Sequence, residues 1–261
     1  MINFRSIKAI YIFEMSRTFR TLIQSLVSPI LSTVLYFIVF GTAIGNNINF
    51  TNEIPYGAFI VPGLVILTIS MQSVNNASFG IFFPKFLGTT YEILSAPISY
   101  VEIVIGYVGA SATKSFCLGL LILMTSTFFV DLDIKFPILM LCMLLLSCVS
   151  FSLLGFIIGI VSDNFEQINF VPMIIVTPLV FLGGSFYTID VLPDFWQTIT
   201  LFNPIFYLVS GFRYSFFGTG EVNILISIFS ISLFILLCII CLLYTSPSPR
   251  DVVPSRMPSS A

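Results

Sequence analysis

The stretch LPDFWQTITLFNPIFYLVSGFRY, at Leu192–Tyr214, interrupts a very apolar chain and shapes the expectation for its fold. It holds the only tryptophan of the protein together with two prolines, an aspartate and an arginine, and long apolar runs lie on both sides. Pro193 suits the first turn of a helix, where its missing N–H is not needed. Asn203-Pro204 ends that helix, and a second short helix begins at Ile205.

Two half-length helices joined at Asn-Pro predict a re-entrant hairpin that dips into the outer leaflet of a membrane, since neither is long enough to cross it. On the first helix, Phe195, Ile199 and Phe202 share one face. The alternative is an ordinary amphipathic loop outside the membrane. Aromatic residues of the kind enriched at membrane interfaces lie in and beside the stretch: Trp196, Tyr187, Tyr207 and Tyr214.

The composition places the chain in a membrane. Hydrophobic residues make up 57% of it and charged residues 8%, the mean hydropathy is +1.06, and a soluble domain carries about 25% charged residues. Lipid must therefore cover much of the surface. With few charges and no basic patch, a nucleic-acid partner is not expected. Histidine, the commonest general base and metal ligand, is absent, so we expect no catalytic residue and no metal site.

Six apolar runs are long enough, or nearly so, to cross a bilayer as helices, which takes about 20 residues. Backbone polar groups in hydrocarbon must be paired internally, and the alternation of a barrel strand is missing. The expected fold class is an all-α membrane protein with six transmembrane helices, an N-terminal interfacial helix and a re-entrant extracellular hairpin before the last span. The predicted spans are Leu26–Gly45, Ala58–Gly80, Val101–Phe129, Ile138–Val161, Val171–Tyr187 and Val222–Leu243.

The N-terminal segment predicts the orientation. It is basic, whereas the first loop, Asn46–Gly57, has no Lys or Arg, so the positive-inside rule places the N-terminus in the cytoplasm. An apolar stripe in the same segment predicts a helix lying flat on the cytoplasmic face, and the alternative is a leader without fixed structure. The basic residues are Arg5, Lys8, Arg17 and Arg20, and the stripe is Phe4, Ile7, Tyr11 and Met15.

Residues 244–261 differ abruptly from the rest, since nine of them are Ser or Pro. Such a composition cannot pack a core. We interpret this segment as a disordered, non-native tail, so the predicted transmembrane domain comprises residues 1–243.

The first cytoplasmic loop, KFLGTTYEILSAP at Lys85–Pro97, carries a helix-start signal. Thr89 and Glu92 have the spacing of a capping box, and Pro97 ends the helix that would follow. A short capped helix in this position predicts a docking partner, because a short loop needs no such element.

The second cytoplasmic loop, SDNFEQINFVP at Ser162–Pro172, carries a similar signal. Ser162 or Asp163 suits the cap of a helix, and Glu166 in its first turn is favoured by the helix dipole. Simple helix capping is the alternative to a role in docking.

Lys114 lies about halfway along the third predicted span. An ammonium group buried in the bilayer costs about 2.5–3.5 kcal/mol, so it should face a partner or water. Glu102, on the same helix, is too distant to be that partner. The alternative is that the side chain snorkels toward the cytoplasm.

The order of these elements resembles that of the ABC-2 type permeases, the membrane halves of ATP-driven exporters for drugs, lipid-linked glycans and nodulation factors. The resemblance covers about residues 4–243. Its most specific part is the series GGSFY, LPDFW, NP and Arg213, which follows Pro178. FIVPGL at Phe59–Leu64 and EILSAP at Glu92–Pro97 are also similar to that family.

The resemblance implies a separate ABC ATPase that docks against the helix after the second span. The chain has no G-x-x-x-x-G-K-[ST] motif, so ATP and its Mg²⁺ would bind to that partner and this chain would hold no cofactor. The predicted coupling residues are Thr89, Tyr91, Glu92, Ile93, Leu94, Asp163 and Glu166.

In the same family, the element before the last span gates the exit between two permease copies. The implied assembly has two permeases, in contact through the first and fifth spans, and two ATPases, surrounded by lipid in the bacterial cytoplasmic (inner) membrane. Carried over to this chain, the gate comprises Pro193, Phe195, Trp196, Asn203, Pro204 and Arg213.

Two other function classes stay open. An ion-coupled secondary transporter would place carboxylates at mid-membrane, where the predicted spans offer Lys114 and little else. An intramembrane enzyme would need a scheme without histidine; Asp131 and Asp133 are close in sequence, but a solvated turn explains them better. The sequence does not distinguish a drug from a lipid or a glycan as the exported substrate.

Overall fold

A computed structural model describes residues 3–20, 23–39, 55–89, 98–132 and 134–245, and every regular element in them is helical. A π-helical turn, Ile23–Val27, precedes the second helix, and a 3₁₀ turn, Ile189–Val191, precedes the seventh. The α-helices are α1 Phe4–Arg20, α2 Ser28–Tyr36, α3 Tyr56–Leu87, α4 Tyr100–Ser126, α5 Pro137–Val161, α6 Phe165–Leu182, α7 Asp194–Leu201, α8 Pro204–Phe217 and α9 Ile224–Thr245.

Five of the described helices, α3, α4, α5, α6 and α9, are long and apolar enough to cross a membrane. A sixth span is present if α1 and the helical segment Ser25–Val39, which are bent by 88° at a short break, count as one unit. The all-helical, multi-span fold class is therefore confirmed. Residues 40–45 of the first predicted span lie outside the described residues.

The second predicted span ends too early, because α3 continues seven residues beyond Gly80 to Leu87. Lys85 therefore belongs to the helix and not to the loop. The helix stops at Gly88, whose φ of 75° is left-handed and whose N–H donates to the Lys85 carbonyl. Pro84 and Lys85 lie inside the helix, so neither residue ends it before the glycine.

The fifth predicted span, Val171–Tyr187, is displaced toward the C-terminus, because α6 begins at Phe165 and ends at Leu182. The Phe165 ring makes edge contacts with the rings of Phe82 and Phe86 on α3, at centroid distances of 5.0 and 4.7 Å. This packing supports a helix start before the apolar run that the sequence shows.

The centre of the bundle is α3, which packs against α4, α5, α6 and α8 and is buried over most of its length. Gly155 and Gly159 of α5 lie directly on its backbone, so a Cβ at either would overlap Val74 or Ser78. Small residues allow such close helix approach in membranes.

The first helix, α1, packs against the N-terminal half of α4. Gly106 of α4 makes this possible, because a Cβ there would lie 2.8 Å from the Ile10 side chain. Three of the four residues of the predicted stripe, Ile7, Tyr11 and Met15, are partly buried, whereas Phe4 is 78% exposed. Ile10 and Glu14, which are not part of that stripe, also face α4, and Glu14 is the buried residue of the helix.

The two ends of the helix bundle are called the Lys85 end and the Arg213 end. The Lys85 end carries the C-terminus of α3, the α5–α6 connection and the N-terminus of α4. The Arg213 end carries the N-terminus of α3, the segment after α6, and α8. The last helix extends to Thr245, two residues beyond the predicted span; the rest of the predicted tail lies outside the described residues.

Candidate functional site

Arg213 joins three segments at the Arg213 end. From α8 it donates one hydrogen bond to Glu221 Oε1, at 2.9 Å, and another to the Gly184 carbonyl, at 2.8 Å. Its guanidinium also lies over the Phe59 ring of α3, 4.0 Å from the centroid. Only 4% of the residue is exposed. The arginine predicted as part of a gate is thus a buried tie between α3, the turn after α6, and α8.

Glu221, the counter-ion of Arg213, was missed by the sequence analysis. Its carboxylate also accepts a hydrogen bond from the Ile189 amide at 3.2 Å. Burial raises the pKa of Glu221 above its ordinary value, while the Arg213 guanidinium and the Ile189 amide act in the opposite direction. The sequence did offer a hint of this pair, since Glu221 follows Arg213 by eight residues in the connection before the last span.

Two of the segments that carried the resemblance, FIVPGL and GGSFY, contact each other. A Cβ at Gly63 would overlap the Ser185 carbonyl, so α3 approaches the glycine turn as closely as a backbone can. Gly184 in that turn has a φ of 77°, a left-handed conformation that favours glycine. The Tyr56 hydroxyl donates to the Phe186 carbonyl at 3.3 Å and holds the same turn.

Asn203 and Pro204 separate α7 from α8, as the sequence predicted. Asn203 is the N-cap of α8: its Oδ1 accepts from the Ile205 amide at 3.0 Å, and Pro204 takes the first helical position. The Asn203 amide nitrogen also donates to the Leu179 carbonyl of α6 at 2.6 Å. The hinge is therefore fastened to the end of the preceding long helix.

The two short helices differ in burial. Most of α8 is buried among α3, α5 and α9, whereas α7 lies at the surface with Phe195 69% and Phe202 85% exposed. The predicted face of α7 therefore points away from the protein, and Trp196 is exposed as well. Pro193 stands at the N-cap of α7, one position before the expected first turn. Re-entry of this hairpin into the membrane stays a prediction.

Lys85 links the C-terminus of α3 to the α5–α6 connection. Its Nζ donates to the carbonyls of Ile160 and Ser162, at 2.9 and 2.8 Å, and lies 3.4 Å from Asp163 Oδ1. These carbonyls belong to the last turn of α5 and the residue that follows it. The end of α3 and the α5–α6 connection are thus one mechanical unit.

The predicted coupling residues lie beside this unit, or follow it in sequence. Thr89 comes just after α3, and its hydroxyl donates to the Pro84 carbonyl at 3.3 Å. Tyr91, Glu92, Ile93 and Leu94 lie outside the described residues, so the predicted capping box stays a prediction. Asp163 and Glu166 are both exposed, which leaves them available to a partner.

The expected cap of the second loop is wrong. The N-cap of α6 is Asn164, and neither Ser162 nor Asp163 has that position. The Ser162 hydroxyl donates a hydrogen bond to the Ile158 carbonyl of the preceding helix, at 2.7 Å. The Asp163 amide donates to Gln167 Oε1 at 2.8 Å. Glu166 does lie in the first turn of α6, where the helix dipole favours an acid.

Lys114 has a carboxylate partner and does not snorkel. Its Nζ lies 3.4 Å from Glu14 Oε2, and the same oxygen lies 2.8 Å from Arg17 Nη2. Glu14 is 2% and Lys114 8% exposed. The sequence analysis missed Glu14, although it is the one acid of a basic helix and follows Ile7 and Tyr11 at helical spacing.

Glu102 has a separate role, as its distance from Lys114 implied. It accepts hydrogen bonds from the amides of Asn3, at 2.6 Å, and Ser99, at 3.2 Å. The second bond completes a capping box at the start of α4. Glu102 therefore fastens the beginning of α1 to α4, while Glu14 fastens its middle.

A polar cavity of about 700 Å³ opens beside the Glu14–Lys114 pair. Gln72, Asn75 and Asn76 line it from the middle of α3, and Lys114 lines it from α4. The remaining lining residues are Arg17, Thr18, Ser25, Ser28, Phe79 and Phe83.

Comparisons with known proteins agree with this architecture. Residues 5–217 match the family model of the ABC-2 type transporter. The chain is 37% identical over 217 residues to the inner membrane transport permease YadH of Escherichia coli strain K12, covering 83% of this chain and 85% of that protein.

More distant relatives are two proteins named nodulation protein J. The one from Rhizobium leguminosarum bv. viciae is 22% identical over 213 residues, covering 79% of this chain and 80% of that protein. The one from Rhizobium meliloti strain 1021 is 22% identical over 208 residues, covering 77% and 78%. With its apolar helices, the chain is a multi-pass inner membrane protein. The chain belongs to the ABC-2 type transporter family.

Proposed function

We propose that this chain is the permease subunit of an ATP-driven exporter, and that a separate ABC ATPase supplies its energy. The family membership supports the transport role. The chain has no P-loop motif with which to bind ATP itself. ATP and Mg²⁺ would bind only to the partner, and this chain would form the translocation path.

The observation that carries the proposal is the Lys85 unit. Lys85 fastens the end of α3 to the α5–α6 connection through two hydrogen bonds, and the predicted coupling segment follows α3 directly. A force on that segment would reach α3, α5 and α6 together. This is the mechanical property that a docking site for an ATPase requires.

The length of α3 supports docking outside the bilayer. Its 32 residues span about 48 Å, against a hydrocarbon core of about 30 Å. The Lys85 end would therefore project into the cytoplasm, in agreement with the basic N-terminal segment on that side. Closure of the ATPase would shift the bundle between inward- and outward-accessible packings, which bind substrate with different affinity.

The Arg213 end would be the exit. There the exposed α7 carries Phe195 and Trp196 on the surface, while α8 is held inside the bundle by Arg213 and Asn203. An outer gate needs such a contrast, with a firmly anchored base and a surface that can meet lipid or a second permease.

A second copy of the chain would complete the path. Phe170, Met173 and Ile174 of α6 are exposed. Only four of the 18 residues of this helix are buried within the protein: Ile168, Pro172, Val176 and Val180. Leu31 and Leu35 of α2 are exposed as well. These surfaces belong to the fifth and first spans, which the family resemblance assigns to the contact between permeases.

The test is association with an ATPase. The tagged full-length chain is purified from its native membrane in mild detergent, and co-purifying proteins and ATP hydrolysis are measured. We expect an ABC ATPase to co-purify, and Glu92→Lys and Leu94→Asp each to lower its retention about tenfold, since both would disrupt the centre of the contact. Asp131→Asn, an exposed change at the opposite end, is the matched control.

Absence of an ATPase from the purified complex would contradict the proposal. Equal retention by the parent chain and both coupling variants would contradict the assigned contact. Lys85→Met tests the mechanical unit separately: it should reduce the ATP hydrolysis that depends on the permease, and Lys85→Arg, which keeps charged donors, should restore part of it.

A further inference from the structure

The last turn of α8 is capped by the connection that leads into α5. A helix leaves its last four carbonyl groups without partners inside the helix. Here the Lys135 amide donates to the Phe216 carbonyl at 3.1 Å, and the Phe136 amide donates to the Ser215 carbonyl at 2.9 Å. Backbone hydrogen bonds from a segment remote in sequence therefore hold the end of α8.

Side chains close the same contact. The Phe136 ring stacks on the Tyr214 ring of α8, with the centroids 5.8 Å apart and the planes at 6° to each other. Gly218 ends α8 with a left-handed φ of 70°, and a Cβ there would lie 3.0 Å from Lys135 Cδ. Because α5 begins at Pro137, these contacts fix the first turn of α5 to the last turn of α8, and we call them the α5–α8 tie.

The opposite end of α5 is held by Lys85. Its ammonium group donates to the carbonyls of Ile160, in the last turn of α5, and of Ser162, which follows that helix. The 25 residues of α5 extend about 38 Å. One helix therefore has a fixed point at each end of the bundle.

The Lys85 unit joins α3, α5 and α6, and of these three helices α5 alone has no proline in its interior. An internal proline removes a backbone hydrogen bond and lets a helix bend. The internal prolines are Pro62 and Pro84 in α3 and Pro172 and Pro178 in α6. The proline of α5, Pro137, lies in its first turn, where no hydrogen bond is lost. A displacement at the Lys85 end would thus pass along α5 with the least bending.

We propose that α5 carries movement from the Lys85 end to α8, and that Phe136 is the positioning residue of this path. Its amide and its ring hold the last turn of α8 on the start of α5, so that a shift of α5 moves α8 as well. Packed helices joined by hydrogen bonds can couple distant sites in this way. That an ATPase drives the movement rests on the proposed function, whereas the α5–α8 tie does not.

The tie is tested in the isolated full-length chain, in maltoside detergent, by hydrogen–deuterium exchange. Phe136→Ala removes the ring stack, and we expect the peptides at the end of α8 and the start of α5 to exchange about tenfold faster. Phe136→Tyr keeps an aromatic ring and should exchange at the parent rate. Phe128→Ala is the matched control, because Phe128 lies in the same connection and is 86% exposed. Unchanged exchange in Phe136→Ala would overturn the tie.

Transmission is tested in the complex with the ATPase that co-purifies. A non-hydrolysable ATP analogue and Mg²⁺ are added, and exchange is compared at the Lys85 end and at the end of α8. In the parent chain, Phe136→Tyr and Phe128→Ala, we expect nucleotide to change the exchange at both places by at least about twofold. In Phe136→Ala the change at the Lys85 end should persist, and the change at α8 should be lost. A residue that only stabilises the fold would not separate the two responses.

Three outcomes would count against the proposals. A response at α8 that persists in Phe136→Ala would overturn the path through α5 and assign it to α3, whose Phe59 ring contacts Arg213. A parent complex that responds at the Lys85 end but not at α8 would overturn any transmission to α8. A chain that recruits no ATPase would refute the proposed function and the transmission with it, while exchange in the isolated chain would still decide the tie.

Discussion

Two clusters of buried charge lie at different levels of this bundle, and they are built differently. At the Arg213 end, one cation meets one anion, and carbonyl and amide groups of the backbone complete their hydrogen bonds. Nearer the Lys85 end, two cations share Glu14 beside an open polar cavity. The first cluster is closed within the protein, and the second lies beside an open cavity.

The difference bears on what each cluster contributes to stability. A balanced pair with complete hydrogen bonding holds segments in one arrangement, and removal of one partner leaves the other uncompensated. A cluster beside an open cavity keeps access to water, which lowers the cost of removing one partner. Substitutions at the two clusters should therefore differ in both the size and the kind of their effect.

The largest effect is expected at Arg213. Arg213→Met should destabilise the protein by about 3–5 kcal/mol, because Glu221 and the Gly184 carbonyl lose their partner in a buried setting. The apparent Tm in detergent should fall on the order of 10 °C. The double variant with Glu221→Gln should recover part of the loss; strictly additive losses would show that the two residues are not coupled.

The close approach of backbones at the same end gives the next effect. Gly63→Ala places a methyl group on the Ser185 carbonyl and should destabilise by about 1–3 kcal/mol, as overpacking does. Gly109→Ala is the matched control, since the nearest atom to its Cβ is a Tyr11 carbon at 3.9 Å. The control should be neutral or slightly stabilising in a thermal unfolding assay, because alanine favours helix. Equal losses would contradict the difference in packing.

A smaller effect is expected for Glu14→Gln at the cluster beside the cavity, about 1–2 kcal/mol. Arg17 keeps 34% of its side chain exposed and Lys114 lines an open cavity, so both cations stay partly solvated when the carboxylate is neutralised. Comparison of its apparent Tm with that of Arg213→Met checks this order. A larger fall in Tm for Glu14→Gln than for Arg213→Met would contradict the idea that the closed cluster contributes more to stability.

Much of the fold was predictable because lipid imposes simple rules on a chain. The absence of water forces backbone pairing within helices, so the apolar runs predicted an all-helical fold with several spans. The Asn203-Pro204 break was also predictable, since proline chemistry is local. The span ends were predicted less accurately. The helix α3 continues past its predicted end to the glycine that stops it. The helix α6 begins before its predicted start, where Phe165 packs against aromatic rings of α3.

The site was only partly predictable. Lys114 was recognised as a residue that needs a partner, but its partner is on α1, far away in sequence. Arg213 was recognised from the family pattern, whereas Glu221 and the contact with Phe59 were not. In each case one charged residue was visible to sequence reasoning, and the group that compensates it came from another segment.

The sequence by itself determined that this chain crosses a membrane several times as helices, and its motifs indicated the transporter family. Those properties depend on composition, hydrophobic run length and local chemistry, which act along the chain. Only the tertiary structure decided which charges meet, because pairing depends on how α1 packs on α4 and how α8 packs on α3. The energy of a buried charge depends on distances to groups remote in sequence, and folding alone sets those distances.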